Sequence, residues 1–136
     1  MSHLQDKSEI LRESANILHS RGLYPAVAHS AYYSCYQLMK HIWLYSLCKT
    51  ENELENRNGN STRIGSHEFL INQITNFIKN SGRKECLNHY RDFNKKVVRL
   101  KSIRRIADYD NTLFDSNKSS ESITLSNNII PILKKY

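Results

Sequence analysis

Glycine and proline are scarce, four and two in 136 residues. The stretches between them carry apolar residues at three- and four-residue spacing, which disfavours sandwiches, barrels and glycine-rich nucleotide-binding α/β folds. No run of about eighteen apolar residues is present. The first residues are polar and mixed in charge (Ser2, His3, Gln5, Asp6, Lys7), so neither a membrane span nor a secretory signal is expected, and the expectation is a cytoplasmic protein. Cysteine is sparse too: Cys35, Cys48 and Cys86 are odd in number and scattered, which fits reduced thiols rather than a disulfide frame. Metal-ligand spacing is missing, since Cys86-x2-His89 has no second pair and no His-x3-His occurs. No metal or cofactor is therefore expected. What remains is a single all-α domain over residues 1–136, long enough to bury a core.

The apolar periodicity predicts five helices. The first runs from about Asp6 to Ser20 and is stopped by Arg21-Gly22; Gly22 suits a left-handed position and Pro25 the first turn of the next helix. The second, from about Tyr24 to Cys48, is apolar on two faces. Tyr24, Val27, Ala28, Ala31, Cys35, Leu38 and Ile42 form one; Tyr32, Tyr36, Trp43 and Leu47 form another, which suits either a central position or a partner chain. Residues 49–63, almost without apolar content and containing Asn58-Gly59, read as an exposed loop. A third helix is expected from about Ser66, as cap, to Asn80, and a fourth from about Lys84 to Ala107. After a polar connector over 111–119, a last helix runs to about Lys135, with Pro131 expected to bend or split it.

Charge is distributed unevenly. The chain carries a net +7, and the segment from Arg83 to Arg105 alone holds nine cations against two acids, an excess equal to that of the whole chain. Alternating signs would pair along a helix; this segment does not alternate, so Arg91, Lys95, Arg99 and Arg105 read as a stripe that can follow a phosphate backbone. Arg104 is different. It continues the series Phe93, Val97, Leu100 and falls within about 20° of the centre of the apolar stripe. An inward arginine needs a partner, and Asp108, four residues on, lies on the same side. The pair either fixes helix register or, with Tyr109, forms a polar pocket suited to phosphate.

Three further features carry a resemblance: Tyr24-Pro25-Ala26-Val27-Ala28-His29-Ser30-Ala31-Tyr32-Tyr33, His67 at the opening of the third helix, and Arg104-x2-Ala107-Asp108-Tyr109. In this order they resemble the HEPN superfamily, in its prokaryotic branch marked by AV-x-x-AYY and R-x-x-ADY. The resemblance implies a five-helix up-and-down bundle, a homodimer with a cleft at the dimer junction, and a role in RNA or nucleotide chemistry. Many members are metal-independent endoribonucleases, toxins paired with a nucleotidyltransferase antitoxin, or parts of phage-defence systems. Catalytic members carry R-x4-6-H, whereas here Arg104 is followed by Asp108 and Tyr109. The strings Arg12-x6-His19 and Arg83-x5-His89 are at chance frequency.

Two readings follow. In one the chain binds RNA or a nucleotide, as a binding module or a ribonuclease, and Arg104, Asp108, Tyr109, His67 and His29 form the site. In the other it is a non-catalytic dimeric adaptor, docking a nucleotidyltransferase or another protein through Tyr32, Tyr36 and Trp43.

Overall fold

Local sequence sets where each helix starts in the computed structural model, which describes residues 2–56 and 64–136. Ser2 accepts from the Gln5 amide and the Gln5 side chain reaches back to the Ser2 amide, a capping box that starts α1 (His3–Ser20) three residues earlier than the periodicity predicts. Gly22 then takes φ 75°, a conformation open to glycine without strain, and turns the chain into α2 (Tyr24–His41) with Pro25 in its first turn.

The expected second helix does not continue to Cys48 as an α-helix. At Ile42–Ser46 it widens into a π-helical turn, and Trp43 within it is 1% exposed. There the indole stands edge-on to Phe69, with centroids 5.8 Å apart, and donates to the Thr50 carbonyl at 2.8 Å. The predicted loop is also partly helical. Thr50 caps α3 (Glu51–Glu55) by accepting from the Glu53 amide, acidic residues occupy its first turn, and Leu54 is buried. One anchored leucine is enough to fold this turn onto the domain. The rest of that expected loop, 57–63 with Asn58-Gly59, lies outside the described residues.

Gly65, not Ser66, is the cap of α4 (Ser66–Lys79). Glu85 takes a left-handed φ of 63° before α5 (Cys86–Tyr109), which extends two residues beyond the expected end and so places Asp108 and Tyr109 on the helix. Asp115 accepts from the Lys118 amide at 3.0 Å and starts α6 (Ser116–Leu133) inside the predicted polar connector. Phe114, also in that stretch, is buried with Ala28 and Ile103. Pro131 does not split α6, which runs unbroken through it. It lies exposed in the last turn, where the missing amide costs one bond near the end of the ladder.

The described residues are thus all-helical, without a strand, and hold six helices where five were expected. Among them no helix is long and apolar enough to cross a membrane. α2 is central, packed by α1, α5 and α6 and touched by α4. Its small residues permit the close approach of α1, whose Ser8 hydroxyl donates to the Ser34 carbonyl at 2.7 Å. Cys35, fully buried, is a core residue with its thiol pKa pushed up to about 12 by burial. The core continues through Phe93, Val97 and Leu100 of α5 and Ile129, Ile130 and Leu133 of α6.

Trp43, the chain's one tryptophan, therefore reports on the core. Its native emission is expected to be blue-shifted and shielded from acrylamide, and Trp43→Ala to lower unfolding free energy by about 3–5 kcal/mol in denaturant titration. Ready quenching in the native state would return it to the surface.

Candidate anion-binding site around a buried arginine

Three helices meet at the C-terminal end of α5. From α2 come His29, Tyr32, Tyr33 and Tyr36, which recur at the three- and four-residue steps of one helical side. His67 comes from the first turn of α4, and α5 adds Arg104, Asp108 and Tyr109 in its last turns.

Arg104 is 7% exposed. Its guanidinium carbon lies 5.1 Å from the Tyr32 ring centroid, 5.7 Å from Tyr33 and 5.8 Å from Tyr109, so three aromatic rings surround one cation. Its hydrogen bonding is thinner. Nη1 donates to Asp108 Oδ2 at 3.4 Å, at the long end for a charged pair. Buried Nε has no partner among the described residues. Burial works against the charge, but Tyr33, Asp108, Tyr109 and Tyr32 more than offset it and hold the guanidinium pKa above its ordinary value. The side chain remains a cation.

Asp108 is shared. Its Oδ2 also meets His29 Nδ1 at 3.2 Å, and the His29 ring packs on Tyr33 with centroids 4.7 Å apart. Tyr33 also meets the His67 ring, edge-on at 5.8 Å. His67 stacks on Tyr36 at 4.4 Å, and its Nδ1 shares a 2.9 Å hydrogen bond with the Tyr32 hydroxyl. Burial, then the positive charges of Arg104 and Lys101, lower its pKa to about 4. At neutral pH His67 is an uncharged imidazole. Burial raises the pKa of the Tyr32 phenol despite the opposing pull of Arg104, so that hydroxyl stays protonated.

The five residues predicted as the site, Arg104, Asp108, Tyr109, His67 and His29, are thus brought into one cluster. Tyr33, which contacts both histidines, is not among the predicted site residues; its signal is the second tyrosine of Ala31-Tyr32-Tyr33. Tyr109 is 73% exposed and forms the outer wall. The docking assignment for Tyr32, Tyr36 and Trp43 is corrected. Tyr32 and Trp43 are buried in the chain's own core and Tyr36 is half-buried against His67, so none is a free aromatic surface.

The predicted basic stripe is only partly free. Arg99 is engaged by Glu121 through Nε at 2.7 Å and Nη2 at 3.0 Å, which neutralises it in place. Arg91, Lys95 and Arg105 are exposed, and none is ion-paired among the described residues. Three other histidines are tied to hydroxyls: His19 to Ser119, His41 to Ser2 and His89 to Tyr136. Those contacts satisfy polar atoms; only His29 meets a carboxylate. Among the described residues no group of three or more His, Cys, Asp or Glu gathers as a metal site. Comparison with protein-family models, curated proteins and solved structures found no match to the chain.

Two outcomes follow from this geometry. Because His67 is harder to protonate in the folded chain than in the unfolded one, the unfolded state binds more protons between the ordinary histidine pKa and about 4. Stability is expected to fall as pH is lowered through that window, and His67→Asn to flatten the slope in denaturant titrations. Replacing Arg104 with methionine removes a buried charge whose Nε is unpartnered among the described residues, so Arg104→Met is expected to leave the thermal midpoint unchanged or raised. A loss of about 3–5 kcal/mol would mark Arg104 as a structural strut.

Proposed function

We propose that this chain is a HEPN-like module, acting in a toxin–antitoxin or phage-defence system, that binds a phosphate group of RNA or of a nucleotide at Arg104. One observation carries the reading: an arginine side chain nine-tenths buried and walled by aromatic rings leaves its Nε without a partner among the described residues and meets Asp108 only at 3.4 Å. An arginine fork offers five donors in a planar array that matches phosphate oxygens. In a site of low dielectric such an array is worth more than the same charge in water. Exposed Arg91, Lys95 and Arg105 on the same helix extend the attraction to a longer polyanion. A second copy of the chain and a nucleotidyltransferase antitoxin are the protein partners that go with this reading.

The cluster also holds the groups that a metal-independent ribonuclease needs. Arg104 can stabilise charge on the pentacoordinate phosphorus, and His67, neutral at physiological pH, can accept the 2′-hydroxyl proton. His29, which packs on Tyr33 and meets Asp108, is the candidate group to give a separate proton to the departing 5′ oxygen. The adaptor alternative has less support, because two of its three aromatic residues lie in the core.

The test is filter binding of an RNA oligonucleotide in EDTA, at low and moderate salt, with cleavage followed on gels. Wild-type affinity is expected to weaken as salt rises, and Arg104→Met to weaken it by at least about tenfold. Salt-independent binding, or full affinity in Arg104→Met, would overturn the assignment. Cuts that survive in wild type and vanish in His67→Asn would place the reaction at this cluster.

A further inference from the structure

We propose that Asp108 is an internal anion that holds Arg104 closed to its ligand, and that protonation of His29 draws Asp108 away and opens the site. This rests on the reading of Arg104 as a phosphate site and adds what regulates it. One oxygen is contested. Asp108 Oδ2 lies 3.4 Å from Arg104 Nη1 and 3.2 Å from His29 Nδ1, so a single atom serves a buried cation and a half-exposed imidazole. Its contact with the guanidinium is long beside the roughly 2.7–2.9 Å of a charge-assisted bond. Histidine is the side chain that changes charge near neutral pH, and with its second proton both ring nitrogens donate. A protonated His29 therefore strengthens its hold on Oδ2 at the expense of Arg104.

Of the three groups, the carboxylate is the one free to move. Arg104 is fixed by the rings of Tyr32, Tyr33 and Tyr109. Asp108 stands in the last turn of α5, one residue before its end, and Asp110 is already extended. The negative end of the helix dipole disfavours a carboxylate there, so its place depends on the two cationic partners rather than on the backbone. While Asp108 faces the guanidinium, an arriving phosphate meets a like charge. His29 is the more exposed partner, with 53% of its side chain open against 9% for Arg104, and so exchanges protons with solvent. The surrounding groups leave the exchange to this pair. On α2, Tyr33 packs on His29; on α5, Arg105 and Tyr109 are exposed, and Asp110 follows the helix end. From α4, His67 reaches Tyr33 and stays uncharged until pH falls toward about 4. Among the described residues, α1 and α6 give neither His29 nor Asp108 an ion-pair or hydrogen-bond partner.

Filter binding of an oligouridylate by the full chain at fixed low salt, between about pH 8 and 5.5, tests this, because neither the phosphodiesters nor the bases of that probe titrate in the range. Circular dichroism at both ends of the range checks that each protein is folded. Wild-type affinity is expected to rise about threefold to fivefold as pH falls, the size of a partly exposed ion pair. His29→Gln is expected to flatten that rise. Asp108→Asn is expected to bind at the high end of the range at least as tightly as wild type does at the low end, and to lose the pH response although His29 is still present. Asp108→Ala serves as the second variant if Asp108→Asn does not fold. A pH-independent wild type, or a pH response that survives in His29→Gln, overturns the proposal. So does a response that survives in the Asp108 variants, since His29 would then act on the RNA directly. In each of these cases weaker binding by Arg104→Met in the same assay leaves the Arg104 assignment standing. Absence of RNA binding across the range overturns both.

Discussion

A single cation buried between two helices organises one end of this molecule. The Arg104 guanidinium sits on the inward side of α5 against the rings of Tyr32 and Tyr33 on α2, and Asp108, one turn further on, supplies its anionic contact. Taking a charge out of water is expensive, and aromatic faces and one carboxylate return part of that cost. An arrangement of this kind is often replaceable by well-packed apolar residues at no cost in stability. Its retention of an under-bonded cation is the property that the functional reading builds on.

The electrostatic consequences spread outward from that charge. Burial, together with the fixed positive charge of Arg104, keeps His67 uncharged. Burial also lowers the pKa of Lys101, helped by Arg105 and Arg104 and opposed by Glu68. Along α5 the cations then divide into kinds. Arg99 is held by Glu121, Arg104 is enclosed by rings, and Arg91, Lys95 and Arg105 face solvent. A net charge read from composition treats these as equal; only the unpaired ones attract a polyanion at long range.

Much of the fold was legible in the chain because helices announce themselves through local rules. Periodic apolar residues, Gly22 and Pro25 placed α1 and α2, and the four-three-four steps from Phe93 to Arg104 put the arginine inside with Asp108 beside it. The errors came where a tertiary contact overruled local tendency. α3 forms in a polar stretch because Leu54 finds the core and Thr50 both caps the helix and receives the Trp43 indole. The π-helical turn at Ile42–Ser46 ends the regular α-helix at His41, which the unbroken apolar spacing of that stretch does not announce. Asp115 caps α6 inside a segment whose composition reads as connector.

By itself the sequence determined the class, the helical order and the inward arginine, since those depend on spacings of three and four residues along one chain. Which histidines join that arginine's cluster, that Tyr33 contacts both of them, and that Arg99 is paired with Glu121 were decided only by the tertiary structure. Those contacts join residues tens of positions apart. Their geometry depends on how helices pack against one another, and no local periodicity records that.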